Sequence, residues 1–168
     1  MELPRLRLAG TGGSRNTTER GATMTKKKKR FLLPVDGSEC SLNAVKYAIE
    51  MAAAAKAAVD VVNCYDKVPA VMTDTRGKYL KEFKSLLIAE SNKVLETYEK
   101  LLAKAKVEHT LKAVEGTAGR VIKDLAKSGK YDLIIMGSKG HSEVGGLFMG
   151  SVTRKVLTNV VCPVLIVP

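Results

Sequence analysis

Five short apolar runs, separated by segments of helical periodicity, decide what this chain can fold into. Arg30–Val35 (RFLLPV) ends in the turn residues Asp36-Gly37-Ser38, and Ala58–Tyr65 (AVDVVNCY) is β-branched and apolar. Val107–Glu115 alternates in polarity, and Tyr131–Met136 and Pro163–Val167 are again short and apolar. Runs of this length, bounded by turn residues, read as strands. Ser38 is a plausible N-cap for a helix through about Lys56, with Ala44, Tyr47, Ala48, Met51 and Ala55 on one face. Lys78–Lys106 carries a stripe of Leu80, Phe83, Leu87, Val94, Tyr98, Leu101 and Ala105, the mark of an amphipathic helix. Gly116 turns the chain into a helix over Ala118–Ser128, and Ser151–Asn159 forms the last. Strands that alternate with helices and are apolar on both faces predict an α/β fold, a parallel sheet covered on both sides.

In such sheets ligands sit beyond the carboxyl ends of the strands, where the strand order reverses. Two strand ends here carry unusual loops, Pro34–Ser38 and the glycine-rich Gly137–Gly150. If their strands are neighbours, the loops face each other across one crevice.

The second loop reads Gly137-Ser138-Lys139-Gly140, then nine residues, then Gly150-Ser151-Val152-Thr153. Glycine lets a ligand touch the backbone because no Cβ intervenes. Successive backbone N–H groups then form an anion nest, reinforced at a helix start by the dipole. Ser151 and Thr153 can add hydroxyl donors and Lys139 a charge, a set that suits a polyphosphate. The alternative is a plain surface loop with a helix cap. The tract is no Walker A loop, because Gly150 is followed by Ser151 where that motif needs lysine.

Charge and cysteine content narrow the function classes. The 168-residue chain has a formal net charge of +11, but residues 1–30 hold nine of the basic residues and only two acidic ones. The other 138 residues carry 19 basic and 15 acidic side chains, interspersed along the sequence. Nucleic-acid binding by the folded part is therefore not expected, with the run Lys26–Arg30 the only candidate, and eight aromatics make a poor base-stacking platform. No stretch approaches the roughly 18 apolar residues of a membrane-spanning helix, so no membrane partner is expected. Cys40, Cys64 and Cys162 form no CxxC pair, which fits a reduced, cytoplasmic setting. Residues 1–27 show no apolar periodicity and read as a disordered basic extension, with Met24 an alternative start, ahead of one domain over residues 28–168.

These residues resemble the universal stress protein family. The spacing Gly137-x2-Gly140-x9-Gly150-Ser151 matches the ATP-binding signature of that family. Phe31–Ser38 (FLLPVDGS), Asp132–Gly140 (DLIIMGSKG), Gly150–Thr153 (GSVT) and Cys162–Val167 (CPVLIV) match its first strand, fourth-strand loop and C-terminal end. The resemblance covers about Lys28 to Pro168. It implies a five-stranded parallel sheet of order 3-2-1-4-5, Rossmann-like, with helices on both faces, and membership of the ATP-binding branch. Carried over by position, Pro34, Val35 and Cys64 line the adenine and ribose region. Gly137, Ser138, Lys139, Gly140, His141, Ser142 and Glu143 wrap ribose and phosphates, and Met136 just before them is counted among the nucleotide-binding positions. Ser151, Val152 and Thr153 bind the phosphate tail, with Gly150 before them also a nucleotide-binding position, and Asp36 faces the nucleotide and a Mg²⁺ ion through water. Lys139 stands where the family often has histidine, and Cys64 where it has valine or another small residue. A homodimer paired through the C-terminal strand Val164–Val167 is also implied.

Turnover needs a positioned base or nucleophile. Asp36 is the only carboxylate whose strand-end placement points it at the site. His141 lies in the loop, His109 falls on a strand, Cys40 opens a helix without a partner histidine, and Cys162 reads as a small buried hydrophobe. No catalytic residue is assigned. The expectation is an ATP-binding, nucleotide-responsive regulator of the stress response, read by a protein partner. The alternative is a slow ATPase or phosphotransferase centred on Asp36, and a nucleotide-free dimer module is disfavoured by the intact glycine signature.

Overall fold

Strands and helices alternate from Arg30 to Val167 in the computed structural model, which describes residues 27–68, 78–141, 149–158 and 161–168. The elements are β1 (Arg30–Pro34), α1 (Glu39–Ala55), β2 (Ala58–Tyr65), α2 (Lys78–Lys104), β3 (His109–Glu115), α3 (Ala118–Lys127), β4 (Leu133–Gly137), α4 (Ser151–Leu157) and β5 (Val164–Val167). All five strands are parallel, in the order β3-β2-β1-β4-β5. Arg30 pairs with Ala58 and Pro34 with Val62, while Phe31 pairs with Leu133 on the other side of β1. β1 and β4 are thus neighbours, and the loops that leave them share one end of the sheet. Nothing in the described helices is long and apolar enough to cross a membrane.

Successive strand residues point to opposite faces, and the core divides accordingly. Phe31, Leu33, Val59 and Val61 pack under α1 and α2, against Ala44, Val45, Ala48, Leu95 and Leu102. Leu32, Val62, Ile134 and Met136 pack under α3 and α4, against Ile122, Ala126 and Val156.

Two helical faces differ from the sequence reading. α1 buries Ser41, Ala44, Val45, Ala48 and Ala52, whereas Tyr47 and Met51 are 49% and 37% exposed. Two stripes run through Ala44 and Ala48, and periodicity alone does not choose between them. The sheet selects the one with Val45 and small residues, which lets the helix sit close, and turns the two bulky side chains to the flank. α2 buries Ser91, Leu95, Tyr98 and Leu102, but Phe83 and Leu101 are each 38% exposed. Its 27 residues rise about 40 Å, whereas the strand beneath spans roughly 25 Å. About ten residues at its N-terminal end therefore reach past the strand, and Leu86 there is 63% exposed. Strand limits also shift slightly: β1 stops at Pro34 and β3 starts at His109, although the Val35 N–H still donates to the Val62 carbonyl at 2.9 Å.

One charged residue is buried within the sheet. Asp60 lies inside β2 with its side chain 3% exposed, and its carboxylate accepts from Arg30, Lys112, Thr110 and Tyr131. Two donors come from β3, one from the start of β1 and one from just before β4. The buried charge thereby ties four chain segments together at the amino end of the sheet.

Candidate functional site

At the opposite end, where β1 and β4 finish side by side, the chain forms a cleft. Pro34, Val35, Asp36, Cys64, Met136, Gly137, Lys139, Gly140, Gly150, Ser151, Val152 and Thr153, all singled out from the sequence, line it together. Ser138 and His141 lie beside it, and Ser142 and Glu143 fall outside the described residues. The wall built by β2 and α3 is largely apolar, with Val62, Cys64, Ala118 and Ile122. The rim built by the β1 loop, the β4 loop and α4 is polar and glycine-rich, with Asp36, Lys139, Gly140, Gly150 and Ser151.

The β1 loop is held by a chain of hydrogen bonds that reaches to the far side of α1. The Gly37 N–H donates to the Tyr98 hydroxyl at 3.1 Å, and Gly37 has a φ of +88°, a left-handed conformation that favours glycine. Ser41 Oγ donates to the Ser38 carbonyl at 2.9 Å, which leaves Tyr98 as the donor in its short contact with Ser41 Oγ. Tyr98 is fully buried, and burial pushes its phenol above the ordinary value. Ser38 in turn caps α1 and donates both its N–H and its hydroxyl to Asp36 Oδ1, at 3.0 and 2.6 Å. Tyr98→Phe keeps the ring but strands the Gly37 N–H. It is expected to lower the unfolding free energy by about 1–3 kcal/mol, read by urea denaturation; an unchanged midpoint would remove Tyr98 from this role.

The β4 end is fixed against α1, α4 and β5. A Cβ at Gly137 would lie 2.9 Å from the Cys40 carbonyl carbon, so β4 meets the start of α1 more closely than any side chain allows. Ser138 N–H donates to the Val167 carbonyl at 2.6 Å, and Gly150 N–H donates to the Ser138 carbonyl at 2.7 Å. The loop thus leaves and returns at one point. Thr153 occupies the expected place on the rim, but its buried hydroxyl donates to the Gly137 carbonyl at 3.0 Å. Its side chain therefore braces β4 against α4 and has no proton to offer an anion.

The titratable groups here are few. Asp36 Oδ1 is engaged by Ser38, and Oδ2 points at Gly140, where a Cβ would sit only 2.5 Å away. The His141 ring lies over Gly37, with Nε2 3.3 Å from where a Cβ would stand. Burial pushes the Cys64 thiol up to about 11, so it stays protonated and serves as apolar wall. Cys40 accepts a weak hydrogen bond from Ser138 Oγ at 3.8 Å, and burial raises the Cys162 thiol. No cluster of three or more His, Cys, Asp or Glu able to hold a metal occurs among the described residues.

Sequence reasoning missed Asn63 and Ser41, the apolar Val62, Ala118 and Ile122, and the role of Tyr98. Asn63 had a readable signal, a buried amide inside an apolar strand. Its Nδ2 donates to the Val35 carbonyl at 2.7 Å and its Oδ1 accepts from Ser91 at 2.6 Å, which aims the end of β1. Ala118 and Ile122 lie four apart on α3, a spacing that marks a helix face without saying what it faces.

Comparison with known proteins agrees with this architecture. A sequence profile of the universal stress protein family matches residues 28–168. Universal stress protein MJ0531 of Methanocaldococcus jannaschii is 32% identical over 139 residues, which is 83% of this chain and 81% of that protein. Among solved structures, hypothetical protein MJ0577 superposes with a TM-score of 0.72 at 27% identity, covering 83% of this chain and 94% of the other. A universal stress protein in complex with cAMP superposes with a TM-score of 0.63 at 26% identity, covering 83% and 97%. With the profile spanning nearly all of the described fold, this chain belongs to the universal stress protein family.

Proposed function

We propose that this protein binds ATP in the cleft between the β1 and β4 loops and acts as a nucleotide-responsive regulator of the stress response in the cytoplasm. One observation carries the reading: the cleft at the carboxyl ends of β1 and β4 joins an apolar wall to a glycine-rich polar rim. A flat heteroaromatic base suits the first and an anionic tail the second. The cAMP complex of a 26% identical relative supports an adenine nucleotide as ligand. In this reading Val35, Val62, Cys64 and Met136 flank the base, and Gly137, Lys139, Gly140, Gly150, Ser151 and Val152 receive ribose and phosphates. Ser138, His141, Ser142 and Glu143 add to the ribose and phosphate contacts, and bound ATP orders the Gly137–Gly150 loop and so changes a surface that a protein partner reads.

Among the described residues Asp36 is the only carboxylate lining the cleft, and one of its oxygens is already committed to Ser38. A Mg²⁺ ion would therefore be carried mainly by the phosphates, with Asp36 reached through water. The same arrangement favours holding ATP over turning it over, because a carboxylate that caps a turn is poorly free to act as a base. A homodimer completes the reading. Among the described residues β5 is an outer strand paired only with β4, and the other edge of Val164–Val167 is offered to a second copy.

The purified chain, denatured and resolved by anion exchange, is expected to release ATP, and its native mass by light scattering is expected to be that of a dimer. Asp36→Asn should retain the nucleotide. Release of ADP alone, with turnover abolished in Asp36→Asn, would shift the function to slow hydrolysis. No nucleotide and no rise in melting temperature with Mg-ATP would overturn ATP binding, and a monomer would overturn the pairing.

A further inference from the structure

The pole opposite the cleft carries most of the net positive charge of residues 27–168. Residues 27–168 hold 23 basic and 15 acidic side chains, which are interspersed in sequence. The parallel topology separates them in space, because every strand starts at the same end of the sheet and every helix packed on it ends there. Lys27–Lys29 lead into β1, and the Lys29 carbonyl accepts from Ala58, two residues after Lys56. Glu108, two residues after Lys106, meets the start of β2, and Asp132, two residues after Lys130, meets the start of β1. With Arg30, Lys104 and Lys127, nine basic side chains gather at this pole against Glu108, Asp132 and the buried Asp60. All but Arg30 are exposed.

Lysines at helix ends offset the helix dipole, which accounts for Lys56, Lys104 and Lys127 one at a time. It does not account for Lys27–Lys29, which belong to no helix. We infer that this pole is a peripheral docking surface for a phospholipid bilayer rich in acidic headgroups. Four adjacent strand starts span about 15 Å, with helix ends on both faces, so the cations cover a plane rather than the stripe that a duplex would touch. The only tyrosine there, Tyr131, is 7% exposed and bonded to Asp60, and Arg30 is bound to the same carboxylate. Among the described residues of this pole, neither base stacking nor a free guanidinium fork is on offer to a nucleic acid. Apolar side chains do flank the cations: Leu101 in the last turn of α2 is 38% exposed, and Val161 before β5 is 55% exposed. A headgroup region gives such side chains a partner. This docking is independent of the nucleotide reading, since it uses the other end of the sheet.

The test is co-sedimentation of the full chain with vesicles of phosphatidylcholine, with and without about one-third phosphatidylserine. Binding is expected only to the acidic vesicles and is expected to vanish as salt rises to about 0.5 M. Each lysine near such a surface is worth about a fivefold change in partition, so the triple variant Lys56→Gln, Lys106→Gln, Lys130→Gln should lose roughly 100-fold. The control Lys46→Gln, Lys81→Gln, Lys93→Gln removes the same charge elsewhere and should change partition by less than about threefold, well short of the per-lysine effect summed over three. All six positions are exposed, and unchanged melting temperatures verify folding. No partition into acidic vesicles, an equal loss in both variants, or tighter binding to duplex DNA or single-stranded RNA at equal phosphate would each overturn the inference.

Discussion

Replacing Asp60 with alanine should lower the unfolding free energy by about 3 kcal/mol, the low end of what breaking a buried ion pair costs. The low end applies because the cations left behind, Arg30 and Lys112, are 38% and 45% exposed and can turn to water. Tyr131, nearly buried, loses its only acceptor and bears the rest. Burial acts to raise the Asp60 carboxyl, but hydrogen bonds from Lys112, Thr110, Tyr131 and Arg30 outweigh it and hold the group at about 2. The same carboxylate and burial push the Tyr131 phenol up to about 12. An unfolded aspartate titrates near 3.9. A group whose folded value is depressed contributes its full stability above the unfolded value and loses it as pH falls through the folded one. About 2 kcal/mol should therefore disappear between pH 4 and pH 2, and Asp60→Asn should be flatter across that window. Urea titrations at pH 7, 4 and 2 measure both effects; parallel curves for the two proteins would show that the network stores no charge-dependent stability.

How such a residue escaped the sequence reading is instructive. Ala58–Tyr65 is apolar enough to announce a buried parallel strand, and one aspartate does not break that pattern. Its four donors are spread over positions 30 to 131, and only the folded sheet brings them together. Local signals were legible: the β-α alternation, Ser38 as a cap with its side chain accepting from Ser41, and Gly116 as a turn with a φ of +135°. Adjacency was not. That β1 lies between β2 and β4 followed from the likeness of FLLPVDGS and DLIIMGSKG to a known family, because hydrophobic period specifies an element and not its neighbour. Charge behaved in the same way, mixed along the sequence and sorted only by topology.

The site divides along the same line. Glycines and hydroxyls in Gly137–Thr153 could be singled out from spacing because backbone exposure and helix starts are local properties. What each side chain does there is set by distant partners. Thr153 looked like an anion donor until Gly137, 16 residues away, took its proton. Tyr98 looked like ordinary core, and its hydroxyl meets Gly37 across 61 residues. Part of the hydrogen bonding that shapes the β1 loop thus comes from α1 and α2, elements that contribute only Ser41 to the cleft lining.

The two glycines that start the β4 loop should separate binding from stability. Gly140→Ala is expected to lower ATP retention at least tenfold, about 1.4 kcal/mol, with a melting temperature within a degree or two of the parent. The added Cβ would stand 2.5 Å from Asp36 Oδ2, and among the described residues other than its chain neighbours only Asp36 lies within 4 Å of it. Asp36 does not yield freely, because Ser38 grips its other oxygen and also caps α1. The cheaper response is for the loop to move off the rim, away from the ligand. Gly137→Ala is different in kind. Its Cβ meets the Cys40 backbone and Cβ at 2.9 Å and the Ser41 N at 3.0 Å, none of which is the end of a flexible side chain. β4 and α1 must part, at a cost of about 1–3 kcal/mol, which in a domain of this size lowers the melting temperature by roughly 3–10 °C. Thermal melts with and without Mg-ATP distinguish the two variants. Gly140→Ala protein that is stabilised by ATP as fully as the parent would show that this rim does not touch the nucleotide, and Gly137→Ala protein that melts with the parent would show that the approach of β4 to α1 is looser than 2.9 Å implies.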